Sequence, residues 1–166
     1  MLARRFALAF GLLLAAVLSQ VPEFVQQYRQ RLGGALDEVR RAVAEFDAEA
    51  GAQSLDRATG IARLRANADP LAQARGRDVE VAAEREARLA AQEKAFAESG
   101  PLSVYAVFAE RFDPTLAGRT YAIFQPAVPA TRSGFLAGAC GFLLGYGGTR
   151  AAVAPFRRRR RGLAAA

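Results

Sequence analysis

Apolar residues are concentrated in two stretches, one near each end of the chain, with a longer polar region between them. The first stretch, Phe6 to Val21, follows Arg4 and Arg5. The second, Ser133 to Gly148, contains no charged residue. About 20 residues of helix are needed to cross the hydrocarbon core of a bilayer, and flanking residues can supply the last turn. The pattern therefore predicts a membrane helix at each end.

The first stretch fits two interpretations. A basic start followed by an apolar core is typical of a secretory signal peptide, although Val17-Leu18-Ser19 is a poor cleavage site because it lacks the A-x-A pattern. An uncleaved membrane anchor is the other interpretation, and four small residues favour it. They recur every fourth position on one helix face, as in helices that pack closely in lipid. These residues are Ala7, Gly11, Ala15 and Ser19.

The second stretch has a face of glycines at spacings of four, three and four residues. They are Gly134, Gly138, Gly141 and Gly145. Four glycines on one side of a helix let a second backbone approach closely. The small-residue face of the first stretch is the partner we favour, and pairing between two copies of the chain is the alternative.

The central region shows helical periodicity. From Pro22 to Ala50 the apolar residues recur at steps of three and four, which predicts one long amphipathic helix. The stripe consists of Phe24, Tyr28, Leu32, Leu36, Val39, Val43 and Phe46. Gly33-Gly34 interrupts this helix, and we expect either a bend there or a close crossing by a neighbour.

Capping signals divide the rest of the region. Ser54 is expected to cap a short helix that ends near Asn67. Asp69 followed by Pro70 predicts the start of a long helix to about Glu98, packed on the helix after Pro22. Shorter helices follow over Pro101–Phe112 and after Asp113-Pro114, and Thr131 is placed to cap the second membrane helix.

The predicted fold is all-α. It is a two-helix transmembrane hairpin with an intervening helical bundle or coiled-coil-like domain. The expected boundaries are 1–21 for the first membrane helix, 22–131 for the helical domain, 132–150 for the second membrane helix and 151–166 for a basic tail.

The net charge of +7 is unevenly distributed. Residues 22–131 contain 14 basic and 16 acidic residues, whereas the excess of arginine lies beside the apolar stretches. By the positive-inside rule this places both termini in the cytoplasm of a bacterium and the central region in the periplasm, at the inner membrane. A slightly acidic central region argues against nucleic acid as a partner. The basic run either marks topology only or contacts anionic lipid; it comprises Arg157, Arg158, Arg159, Arg160 and Arg161.

The chain offers little reactive chemistry. It has no histidine and a single cysteine, Cys140, within the second apolar stretch. We find no motif for a metal, a nucleotide or an activated nucleophile. The expectation is therefore a protein without catalytic residues, metal or cofactor.

Two segments resemble a family of bacterial inner-membrane proteins of unknown function, found mainly in proteobacteria. They are SQVPEFVQQYRQRLGGALDEV, from Ser19 to Val39, and FDPTLAGRTYAIFQPAVPAT, from Phe112 to Thr131. The resemblance extends over nearly the whole chain apart from its C-terminal arginine run and alanine tail. It implies two terminal membrane helices around an exported helical region, and it implies no catalytic residue.

Two functions follow as hypotheses. The first is a non-enzymatic envelope protein, a scaffold or accessory subunit of a membrane complex, whose partners are the lipid bilayer and either another protein or a second copy. The alternative is a membrane-anchored periplasmic module that binds a lipid or another apolar ligand. Five aromatic residues are the candidates to line its pocket: Tyr105, Phe108, Phe112, Tyr121 and Phe124.

Overall fold

The computed structural model describes residues 2–126 and 131–163, with side chains for residues 3–126 and 131–154. All regular secondary structure in these ranges is helical, as predicted, and they contain no strand. The helices in chain order are α1 (Leu2–Ser19), α2 (Val21–Gly51), α3 (Arg57–Arg65), α4 (Pro70–Ala97), α5 (Ser103–Arg111), α6 (Pro114–Tyr121) and α7 (Arg132–Leu163).

The chain divides into two compact units. The first combines Met1–Gln27 with Tyr121–Ala166 and contains the packed pair α1 and α7. The second is Tyr28–Thr120, which contains most of α2, the helices from α3 to α5, and α6 except for its last residue. The segment expected as a tail after residue 150 begins as a continuation of α7, which ends at Leu163.

In the first unit, a single residue, Gln20, separates the end of α1 from the start of α2. The amide of Gln20 donates to the carbonyl of Val17, and the Gln20 carbonyl accepts from the amide of Phe24. Pro22 lies in the first turn of α2, where its missing N–H costs no helical hydrogen bond. The Phe24 ring packs edge-on against Phe124, with 5.4 Å between ring centroids.

In the second unit, the buried face of α2 is the predicted apolar stripe. Five of its members are at most 5% exposed: Tyr28, Leu32, Leu36, Val43 and Phe46. On α4 the buried apolar residues are Val79, Leu89 and Phe96. Tyr28 packs on Phe96, and Val79 joins Phe46 in one apolar cluster, so α2 and α4 pack on each other as expected.

The Gly33-Gly34 pair does not mark a close crossing. α2 is unbroken across it, and no atom lies within 4 Å of a Cβ placed on either glycine. Of the two alternatives predicted here, the close crossing is therefore wrong, and the bend stays a prediction.

The start of α3 also differs from the prediction. Its N-cap is Asp56, whose carboxylate accepts from the Thr59 amide at 2.7 Å. That hydrogen bond lowers the pKa of Asp56. Ser54 does not cap the helix; its φ of 58° puts it in the left-handed region, within the turn that leaves α2.

The other capping predictions are confirmed. Asp69 caps α4 by accepting from the Leu71 amide at 2.9 Å, and Pro70 opens that helix. Asp113 accepts from Leu116 at the start of α6, and Thr131 accepts from Gly134 at the start of α7.

Candidate functional site

The contact between α1 and α7 is made largely by backbone atoms. A Cβ placed on Gly145 would lie 2.8 Å from the Gly11 Cα, and one on Gly141 would lie 2.6 Å from the Leu14 carbonyl oxygen. A Cβ on Gly138 would lie 3.5 Å from the Ser19 Cβ. Because positions rise along α1 as they fall along α7, the two helices run antiparallel.

Of the eight small residues named from the sequence, six take part in the close approaches between the helices: Gly11, Ala15, Ser19, Gly138, Gly141 and Gly145. Six of the eight are buried: Ala7, Gly11, Ser19, Gly134, Gly141 and Gly145. Ala15 and Gly138 are half-buried, and a Cβ placed on Gly138 would lie 3.5 Å from the Ala15 carbonyl oxygen. The structure therefore brings the two small-residue faces together within one chain.

The surface of this pair away from the contact is apolar. Eight large side chains on it are 56% or more exposed: Phe6, Leu12, Leu13, Val17, Phe135, Leu136, Leu143 and Leu144. A soluble monomer rarely exposes an apolar surface of this extent. Lipid is the solvent in which such a surface is stable.

Within the described residues, one helical stretch, Ala3–Gly51, is long and apolar enough to cross a membrane, and its apolar part is near the N-terminus. Only 17% of that apolar part is buried within the chain, which distinguishes it from the core helix of a soluble protein. A signal sequence passes the same test. α7 does not pass it.

Charged residues bound equal intervals on the two helices. Between Arg5 and Glu23 lie residues 6–22, and between Arg132 and Arg150 lie residues 133–149; each interval contains 17 residues and no charge. The Arg150 guanidinium donates to the Tyr146 hydroxyl at 3.1 Å and lies 5.7 Å from that ring's centroid. Arginine over tyrosine is an arrangement suited to the boundary between lipid and water.

The five aromatic residues predicted to line a pocket fall in different units. Phe108 and Phe112 lie in the second unit, 5.7 Å apart at their centroids, and Phe108 also packs edge-on against Tyr28 at 5.1 Å. Tyr105, in the same unit, is half-buried. In the first unit, Phe124 packs on Phe24 and Tyr121 is 75% exposed. A pocket shared by all five stays a prediction.

The basic run falls in the part of α7 whose side chains lie outside the described residues. This applies to Arg157, Arg158, Arg159, Arg160 and Arg161. Their contact with anionic lipid stays a prediction.

The sequence prediction missed a buried hydrogen-bond network around Tyr28. The Tyr28 hydroxyl donates to the Gln92 side-chain oxygen at 3.0 Å and accepts from the Asp113 amide at 2.8 Å. The Gln92 side-chain nitrogen donates to the carbonyl of Arg111. Burial raises the pKa of Tyr28, so its hydroxyl stays protonated and able to donate. The sequence signal for this network was Gln92. It lies three residues after Leu89, so it belongs to the apolar face of α4, where a polar side chain needs a hydrogen-bond partner.

The described part of the chain leaves no polar side-chain atom buried without a hydrogen-bond partner. Nor do the cysteine and carboxylate residues in this part form a group of three or more that could hold a metal ion. The network around Tyr28 is thus complete in itself, and its role is to join α2, α4 and the turn before α6.

A family model described as "Protein of unknown function (DUF2937)" matches residues 2–162. No curated protein and no solved structure matches the chain.

Proposed function

The chain belongs to the DUF2937 family, and we propose that it is a non-enzymatic protein of the bacterial inner membrane. In this proposal α1 and α7 form a transmembrane hairpin. The helices between them form a periplasmic scaffold, or an accessory subunit of a membrane complex, that acts through helix–helix contacts.

The observation that supports the hairpin is the agreement between the helix register and the charged boundaries. Arg5 precedes Gly11 by six residues, and Arg150 follows Gly145 by five, so both arginines belong to the same end of the pair. At the other end, Glu23 follows Ser19 by four residues and Arg132 precedes Gly138 by six. The positions of the charged residues and the positions of the glycine contacts are independent observations. Together they place the two charge-free intervals side by side, as one layer of the helix pair without charged residues.

The thickness of that layer suits a membrane. Seventeen residues of helix at 1.5 Å each span about 26 Å, close to the hydrocarbon core of roughly 30 Å. Small mismatches of this size are accommodated by local thinning of the bilayer or by flanking side chains that reach the interface.

Charge supports the orientation. The excess arginines belong to one end of the helix pair: Arg4 and Arg5 precede the apolar part of α1, and Arg150 and the run 157–161 come after the apolar part of α7. The positive-inside rule assigns that end to the cytoplasm. Residues 22–131 then belong to the periplasmic side, and their charge of −2, from 14 basic and 16 acidic residues, does not oppose export.

The scaffold role is supported by exposed apolar side chains in the second unit together with the lack of a reactive cluster among the described residues. Leu71, Val81 and Leu102 are 59% or more exposed. Each of these single side chains is available for a contact with another protein.

Topology is tested with single cysteines in a Cys140→Ala background. The periplasmic probe is Ala91→Cys, at an exposed position of α4. A membrane-impermeant maleimide should label it in cells whose outer membrane has been made permeable, and should label Gly162→Cys only after lysis. Labelling of both residues, or of neither, before lysis contradicts the hairpin.

The scaffold role is tested by purification in a mild detergent. We expect a second protein, or a second copy, to co-purify in stoichiometric amount. A monomer that retains no partner would count against a scaffold while leaving the hairpin intact.

A further inference from the structure

The C-terminal end of α2, the short helix α3 and the start of α4 meet at a closely packed corner. Two glycines make this possible. A Cβ on Gly60 of α3 would lie 3.0 Å from the Phe46 ring of α2, and one on Gly76 of α4 would lie 3.0 Å from the Leu64 Cβ of α3. The backbone of α3 is thus held against both longer helices.

Two of the four arginines nearest this corner are neutralised by carboxylates. Arg57 makes a bidentate contact with Asp47, at 2.8 and 2.5 Å. Arg65 donates from a single nitrogen, Nη1, to both carboxylate oxygens of Glu80, at 3.1 and 2.9 Å. The two-nitrogen pairing of Arg57 fixes its guanidinium as well as cancelling its charge.

The other two arginines, Arg63 and Arg75, have no carboxylate within 4.0 Å among the described residues. Both line an open cavity of about 260 Å³ at the same corner. Its apolar wall is formed by Phe46, Leu55 and Leu64. The cavity therefore joins an apolar surface to two arginines that form no ion pair among the described residues.

We propose that this cavity binds a small amphiphilic anion, with its apolar body against Phe46, Leu55 and Leu64 and its carboxylate or phosphate between Arg63 and Arg75. Guanidinium groups match these anions in charge and in planar hydrogen-bond geometry. Pockets for drug-sized ligands begin at about 300 Å³, so a cavity of this volume takes a smaller molecule. The inference depends on contacts within the second unit alone and does not require the transmembrane hairpin.

Glu49 also lines the cavity and makes the net charge of its lining +1. This carboxylate repels a simple anion, whereas it would attract the ammonium group of a zwitterion such as an amino acid. Replacing Glu49 by glutamine should therefore strengthen the binding of an anion, whereas it would weaken the binding of a zwitterion.

Binding is tested with the full-length chain in phosphatidylcholine nanodiscs. The probe is 3-(4-fluorophenyl)propionate, followed by fluorine NMR, with 3-(4-fluorophenyl)propan-1-ol as the uncharged analogue and empty nanodiscs as the blank. The variant is Arg63→Gln with Arg75→Gln. Arg77→Gln is the matched control, an exposed arginine of α4 that does not line the cavity.

We expect saturable binding of the propionate, weakened about tenfold or more by the double variant and unchanged by Arg77→Gln. Glu49→Gln should tighten it. The proposal is overturned if the propanol binds as tightly as the propionate, if the double variant binds like the parent chain, or if Glu49→Gln weakens binding. A signal equal to that of empty nanodiscs overturns it as well, and circular dichroism verifies that each variant is folded.

Discussion

Gly141 lies so close to Leu14 that a Cβ on the glycine would be only 2.6 Å from the leucine's carbonyl oxygen. No side chain fits between two backbones at that separation, so Gly141→Ala must push α7 away from α1. We expect the helix pair to lose about 1–3 kcal/mol of stability, the usual cost of overpacking. Thermal unfolding in detergent, followed by circular dichroism, measures the loss.

Gly147→Ala is the matched control for that change. It lies on the same helix, and no atom is within 4 Å of the added Cβ. Its stability should stay within about 0.5 kcal/mol of the parent chain or rise slightly, because alanine favours helix. Equal effects of the two substitutions would show that α1 and α7 do not pack through Gly141.

The hydroxyl of Tyr28 supports a second prediction. Tyr28→Phe leaves the Asp113 amide and the Gln92 side-chain oxygen without the partners they have in the native chain. Losing a buried partner costs about 1–3 kcal/mol, and we expect that decrease in the free energy of unfolding by denaturant. Tyr105→Phe, at a half-buried tyrosine outside this network, should change it by less than about 0.5 kcal/mol.

The ion pair of Asp47 and Arg57 predicts a dependence on pH. The hydrogen bond from Arg57 lowers the pKa of Asp47 below its ordinary value of 3.8. A lowered folded-state pKa means that the stabilisation is complete above the unfolded-state pKa and is lost as the pH falls through the folded-state pKa. Since the two side chains are 38% and 41% exposed, solvent screening limits the effect to about 1 kcal/mol or less.

The measurement is the melting temperature of the parent chain and of Asp47→Asn, taken from about pH 7 down to about pH 2. The parent should be the more stable above about pH 4, and the difference should vanish at the acid end. Asp37→Asn, at a more exposed carboxylate on the same helix, is the control. A difference that grows towards acid pH would refute the assignment.

Cys140 gives a test of the membrane segment without any engineered label. Its side chain is exposed on α7, near the middle of the charge-free interval 133–149. In proteoliposomes we expect it to resist a charged maleimide, because the reagent cannot enter hydrocarbon, and to react fully in denaturing detergent. Ala91→Cys in a Cys140→Ala background should react in both conditions when it faces the outside. Rapid labelling of Cys140 in intact proteoliposomes would show that this face meets water.

Local signals in the sequence predicted most of the helix boundaries. Asp69-Pro70, Asp113 and Thr131 determine helix starts through hydrogen bonds to amides two or three residues later, so a short window contains all the information. Ser54 misled because an equally good cap, Asp56, stands two residues further on. The left-handed φ of Ser54 excludes it as the cap, and no pattern in the neighbouring residues predicts that backbone conformation.

Contacts between distant segments could not be predicted in the same way. Tyr28 and Gln92 are 64 positions apart, and their hydrogen bond depends on how α2 and α4 are rotated against each other. The same holds for the cavity beside Arg63 and Arg75, which exists only where three helices meet. The small-residue faces of α1 and α7 were recognisable because small residues recur in each at helical spacing. A single buried residue such as Gln92 shows no such repeat.

The glycine contacts between α1 and α7 determine which other helices can occupy this position. Glycine has no side-chain rotamers to immobilise, so close approach at Gly11, Gly141 and Gly145 sacrifices no side-chain entropy. Dispersion attraction at such contacts falls by a quarter to a half when a gap of about 0.5–1 Å opens. Recognition between these helices is therefore a matter of shape. A competing helix must carry small residues at the matching positions. A helix with large apolar side chains there would be held about 1 Å too far away to make these contacts.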